Sequence, residues 1–310
     1  MKRNILILFI LLQLALLPAD FYKYLWDTGR EIDVTGQIIE HDDKVLSVGN
    51  ANELYVYSMF DIYNFNLNGA YRLNGDIQDI EILSSKKVVV TTNSISSSIR
   101  DIDSLFTVGR KIDVSAYTGN EIVQDGTLLY LAHGDNGLTV FDMGNNLANE
   151  IVSNYHKDWG LNALAVKWPL VYVGNTHGVA SVNLSNIRHP MPFGQNYTLF
   201  SVSEIEIYDD VMFAVSNRSL NILDISNPGK IENSDVLYFP YSIKNIKVHA
   251  NELYVILGQG GLEIYKINSD GSLDHATSYN DGNYLYDISF YQDYIFMLSR
   301  DKKLRIFQYR

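Results

Sequence analysis

One short apolar strand recurs along this chain at nearly constant spacing, and a repeat of that length leaves few architectures open. Its copies begin at Val45, Val88, Leu128, Leu170, Val211, Leu253 and Tyr294, which lie 43, 40, 42, 41, 42 and 41 residues apart. After a turn, each copy is followed by a strand carrying one apolar residue and another three positions on, as in Leu54 and Tyr57, Leu138 and Phe141, Leu220 and Leu223, and Leu304 and Phe307. Turn residues such as Asp135-Asn136-Gly137 and Gly258-Gln259-Gly260-Gly261 mark these pairs as hairpins. A third apolar run precedes each copy, as in Ile80 and Ile82, Leu164 and Val166, or Ile288 and Phe290. A weaker fourth, such as Val236-Leu237-Tyr238-Phe239, fills the remainder. Four short strands per unit, with no segment of helical period, are the signature of a β-propeller blade. The second unit is ragged, since Ser96-Ser97-Ser98-Ile99 keeps only a trace of the pattern.

The two ends of the repeat suggest how the ring closes. The last unit stops on its third strand at Phe307, while Gly29-Arg30-Glu31-Ile32-Asp33-Val34-Thr35 matches the fourth-strand segment Gly109-Arg110-Lys111-Ile112-Asp113-Val114-Ser115. An N-terminal strand joined to the C-terminal blade would remove the exposed edge of an open ring. The expectation is an all-β, seven-bladed β-propeller with four-stranded blades over residues 29–310, preceded by a lead-in at residues 20–28.

Composition supports a single packed domain and narrows its chemistry. Hydrophobic residues make up 46% and charged residues 19%, enough apolar material for a large core. The net charge of −12 argues against nucleic acid as a partner. The chain has no cysteine, which excludes disulfides, thiol nucleophiles and thiolate metal sites. Lys2 and Arg3 precede an apolar run from Ile5 to Leu17, the layout of a secretory signal peptide. Residues 1–19 are expected to be that signal, cut after Ala19, with an uncleaved anchor as the alternative. The run is short for a permanent membrane span. Either way the remainder is exported to a periplasmic, cell-surface or extracellular location.

In the fifth unit, Leu220-Asn221-Ile222-Leu223-Asp224-Ile225-Ser226-Asn227-Pro228 resembles the LVIVD repeat, a propeller-type unit of exported bacterial and archaeal proteins. Val179-Ala180-Ser181-Val182-Asn183-Leu184-Ser185-Asn186 is a degenerate copy, and Leu138-Thr139-Val140-Phe141-Asp142-Met143 has lost its proline. The motif is sharp between about residues 126 and 232 and fades at both ends. The resemblance implies a propeller and carries no common catalytic residues. WD repeats fit badly, because the one Trp-Asp pair, Trp26-Asp27, lies ahead of the first unit.

One column of residues could carry chemistry. The position before the first apolar residue of the inner strand holds Asp79, Glu121, Ala163, Glu204, Asn245 and Asp287 in units two to seven. Asp79, Glu121, Glu204 and Asp287 could form a carboxylate ring at the channel mouth and hold a hard cation such as Ca²⁺. Alternatively, each carboxylate accepts hydrogen bonds from backbone N–H groups in the connection entering its own blade. The seven histidines show no zinc-binding spacing, and the glycine-rich Gly258–Gly261 turn precedes no helix that could hold a phosphate. Tyr238, Phe239 and Tyr241, and the cluster Tyr279, Tyr284 and Tyr286, precede inner strands and would form a recognition patch if exposed on one face. These features favour a non-catalytic, cofactor-free module that binds a protein or glycan at the cell envelope. The competing reading is a metal-assisted hydrolase or lactonase-like enzyme at the channel mouth.

Overall fold

A computed structural model describes residues 25–33, 36–42, 45–62, 64–83, 87–93, 98–101, 112–113, 120–142, 150–155, 160–301 and 303–309. The expected signal peptide at residues 1–19 lies outside these. The described strands form four-stranded antiparallel sheets in simple up-and-down order, each one a blade. The innermost strands, in chain order, are Ile38–Asp42, Ile77–Leu83, Glu121–Asp125, Ala163–Lys167, Glu204–Tyr208, Asn245–His249 and Leu285–Tyr291, and they number blades 1 to 7. No sheet closes on itself; closure belongs to the ring of blades.

The expectation of a regular seven-bladed ring needs correcting. Among the described residues, six blades carry outer strands of six to nine residues, whereas that of blade 2 covers two. Its described third strand is Ser98–Asp101 and its described outer strand is Ile112–Asp113, which falls within the expected segment from Gly109 to Ser115. The sequence of that unit is also weak in apolar residues, since Ser96-Ser97-Ser98 stands where the other units place the apolar residues of a third strand. The N-terminal strand is also longer than expected. It runs Leu25–Asp33 and pairs antiparallel with Lys303–Tyr309, with a register break between Asp27 and Arg30.

Burial follows strand position. Second strands such as Leu170–Asn175 and Glu252–Ile256 are buried throughout, because both faces pack against neighbouring blades. Outer strands such as Glu232–Tyr238 are largely exposed. Inner strands alternate, with a buried apolar residue between positions that face the channel, as in Glu121–Asp125 and Asn245–His249. In blades 3 to 7 the wedge between blades is filled by one large residue at the centre of the second strand. Tyr130, Tyr172, Phe213, Tyr254 and Phe296 are all essentially inaccessible there. Tyr172 of blade 4 packs with Val202, Ile205, Met212 and Ala214 of blade 5. Across the closure, Phe296 and Leu298 of blade 7 meet Ile39, Leu46 and Val48 of blade 1.

Candidate functional site: the channel and the crossover face

The inner strands enclose a polar channel of about 300 Å³. Because side chains two apart share a strand face, each inner strand presents two residues to it. The upper level holds the expected Asp79, Glu121, Glu204 and Asp287. The lower level adds Glu40, Glu81, Glu206 and Lys247, which the sequence reading missed although they stand two residues after the examined column or its equivalent. All eight line the channel.

Three of the four upper carboxylates, Asp79, Glu121 and Asp287, link neighbouring blades. Asp79 of blade 2 accepts from its own Ile80 N–H at 2.8 Å and from Ile122 N–H of blade 3 at 2.9 Å. Glu121 of blade 3 accepts from Leu164 N–H of blade 4. Asp287 accepts from Ile39 N–H of blade 1 at 3.0 Å, from its own Ile288 N–H at 2.9 Å and from the Asn245 side chain of blade 6 at 3.0 Å. Asp287 thus ties three consecutive blades together across the ring closure. The lower level repeats the device, since Glu81 accepts from the Gln124 backbone and Glu206 from that of Val248. The donors therefore lie in the following blade as well as the carboxylate's own.

Crowding and burial dominate the electrostatics. Asp79 keeps some access to channel water, yet burial pushes its carboxyl up to about 7 against the pull of the two N–H donors and Lys247. Burial raises Glu206 to about 7 in the same way, opposed first by Lys247. Glu121 and Glu204 are held well above the usual carboxylate range, by burial first and then by neighbouring carboxylates. Glu81 is raised by burial and by Glu40. Asp287 is raised by burial, opposed by Lys247 and its three donors. Lys247 stands 3.6 Å from Glu40 and 3.8 Å from Asp287. Burial alone would favour its neutral form, but Asp287, Glu40, Asp79 and Glu206 outweigh that and keep it cationic. Seven carboxylates and one deep lysine leave the channel acidic and partly protonated at neutral pH. Among the described residues, no three of His, Asp and Glu converge closely enough to hold one metal ion.

The aromatic residues expected to form a patch divide. In an up-and-down blade, the turn between second and third strands and the crossover to the next blade emerge at the same end. On that crossover face Tyr238 is 78% exposed and Tyr241 44%. Phe239 points inward and packs in the blade 5–6 core with Ile243 and Leu253, its ring 6.2 Å from that of Tyr265. Tyr279 is half-buried against Phe307, 4.7 Å between rings. Tyr284 and Tyr286 are half-buried neighbours, 5.0 Å apart, and Arg300 lies over the Tyr284 ring at 4.5 Å. The glycine-rich turn shapes this cluster: a Cβ at Gly258 would stand 2.8 Å from the Tyr284 ring, and one at Gly260 would stand 2.6 Å from that of Tyr241. Farther round the same face, Phe200 is 85% exposed and Tyr197 42%. With His177 and Leu199 they line a cleft of about 450 Å³.

These features define a β-propeller with an acidic, internally braced channel and an aromatic crossover face. Among solved structures, the chain is similar to one in the crystal structure of a mitotic checkpoint complex, with 12% identity, a TM-score of 0.75 and 94% of each chain covered. It is also similar to the computationally designed Ika8 protein, with 11% identity, a TM-score of 0.61, and 92% of this chain and 99% of that one covered. At such identities the likeness is one of fold. No protein-family model matches the chain, and no curated protein matches it in sequence. Among the described residues, no helix is long and apolar enough to cross a membrane.

Proposed function

We propose that the protein is an exported, non-catalytic module of the cell envelope that holds a protein partner against its crossover face. The observation that carries this reading is the exposure on that one face of Tyr197, Phe200, Tyr238 and Tyr241. Large aromatic side chains left accessible around a preformed cleft are the usual anchors of protein interfaces. Three of the four channel carboxylates that a metal-assisted hydrolase would use, Asp79, Glu121 and Asp287, accept from backbone N–H groups of adjacent blades. Export rests on the basic start and apolar run within residues 1–19, and the resemblance to LVIVD units accords with it.

The test places a photo-crosslinking phenylalanine analogue at Phe200 and, separately, at Trp168, which is 51% exposed on the opposite face. In the native host, a discrete protein adduct is expected from position 200 and none from 168. Equal labelling from both faces, or an adduct at 200 that glycosidases remove, would reject a protein-binding face. Recovery of the intact chain, with residues 1–19 attached, from the cytosolic fraction would reject export.

A further inference from the structure

The crossover face of blades 5 to 7 carries a second kind of feature beside its aromatic rings. Arg218, Lys244 and Arg300 are exposed there. They are joined into one surface by a chain of contacts. The Phe239 N–H donates to the Arg218 carbonyl at 2.9 Å, and the Ser242 hydroxyl to the Asn217 side chain at 2.8 Å. Tyr241 covers Gly260, Tyr284 covers Gly258, and the Arg300 N–H donates to the Tyr284 carbonyl at 2.9 Å. Lys244 and Tyr286 reach the channel mouth. Among the described residues, no carboxylate forms an ion pair with Arg218, Lys244 or Arg300. The acids sharing this end of blades 6 and 7, Asp281 and Asp301, are both engaged by Arg305. A protein of net charge −12 thus keeps a local cluster of accessible cations among tyrosine rings.

We propose that this sector, from Arg218 through Tyr241 and Tyr284 to Arg300, is the docking surface for an extended acidic segment of the protein partner that carries aromatic side chains. This rests on the function proposed above and assigns the partner's chemistry. The partner's carboxylates meet the three cations, and its rings pack against Tyr241 and Tyr284. The acidic channel beneath repels those carboxylates and keeps the segment on the surface. The rings are held over glycine backbone, so little side-chain freedom remains to be lost on binding. Their rigidity favours a slow off-rate, while the cations govern the on-rate and its salt dependence.

The experiment uses the full chain and three fluorescein-labelled synthetic peptides: one alternating Glu with Phe, its Gln-for-Glu isostere and its Lys-for-Glu counterpart. Fluorescence anisotropy should show the acidic peptide binding about tenfold more tightly than the Gln peptide at low salt, with the preference shrinking as salt is raised. In an Arg218→Gln/Arg300→Gln variant the preference should fall to about twofold. Because both side chains are exposed, an unchanged melting curve will confirm that this variant folds. In Tyr241→Ala, all peptides should bind more weakly while the charge preference persists. Equal binding of the acidic and Gln peptides, tighter binding of the Lys peptide, or no binding at all would overturn the proposal. A Phe200 adduct that survives those outcomes would leave the face-level function standing and remove only this partner chemistry.

Discussion

At the scale of single residues, the carboxylates of one column divide by what they hold. Asp287 satisfies three donors and is 3% exposed. Asn in its place turns an amide N–H towards one of those donors and removes a counter-charge from Lys247. Asp287→Asn should therefore cost about 3 kcal/mol, the scale for breaking a buried charged network, read as a lowered urea midpoint. Glu121 has one donor, Leu164 N–H, and an ionised form disfavoured by burial and by Glu204. Gln keeps an acceptor and removes the repulsion, so Glu121→Gln should match or exceed the parent's stability at pH 7.5. Equal losses in the two variants would contradict the division. The tyrosines of the blade wedge give a similar contrast. Tyr254 donates to Glu252 at 3.0 Å, whereas the buried Tyr172 hydroxyl has no partner among the described residues. Tyr254→Phe should be destabilising by about 1 kcal/mol and Tyr172→Phe neutral or stabilising.

At the scale of elements, the turns explain which motifs were legible. In blade 5 the motif's Asp224 accepts from Ser226 N–H at 2.8 Å, and Asn227 accepts from Gly229 N–H at 3.2 Å. Pro228 then offers its carbonyl to the Ser181 hydroxyl of blade 4 at 2.9 Å. The conspicuous residues of that repeat thus build a turn and seat it on the neighbouring blade. A repeat of local turns and alternating strands is written within short windows, so strand order could be read directly. The blade-to-blade links could not be, because their partners lie far apart in sequence, as Ile39 and Asp287 do. Blade 2 kept the unit's length but not its pattern, because serines stand where the other units place apolar residues. The Gly258–Gly261 turn yields a prediction at this scale. Gly260→Ala forces a Cβ into the Tyr241 ring, and Gly261→Ala adds strain at φ +79° with a backbone contact at Tyr279. The second change should be the costlier, by about 1–3 kcal/mol, and only the first should displace Tyr241, as read from its fluorescence or peptide binding.

At the scale of the whole molecule, the channel sets the response to pH. Glu40, Asp79, Glu81, Glu121, Glu204, Glu206 and Asp287 face one another and Lys247 across it, with Lys244 and Tyr286 at the mouth. Burial holds Asp79 and Glu206 up at about 7 in the fold, against ordinary values of 3.8 and 4.5. Below their unfolded values both groups are protonated in either state and contribute no pH dependence. Between about 4.5 and 7 the unfolded chain ionises them while the folded channel resists, so stability falls as pH rises. Above 7 both states are ionised and the loss is complete. Glu81, Glu121 and Glu204, raised in the same direction, extend that decline. The cationic state of Lys247, favoured in the fold, adds stability throughout this range and loses it only at strongly alkaline pH. At the acid end, Asp224 and Asp281 are depressed by hydrogen bonds to their turns, and their stabilisation disappears as pH drops through the folded values. Greatest stability should therefore lie near pH 4, where the turn aspartates are ionised and the decline from the channel has only begun. Each fully shifted group contributes at most about 1.4 kcal/mol per pH unit, reduced by access to channel water. Urea unfolding at pH 5 and pH 8 reads the difference directly, and Glu121→Gln/Glu206→Gln should flatten it. A parent protein equally stable at both values, or more stable at pH 8, would mean that the carboxylates ionise freely in the folded channel.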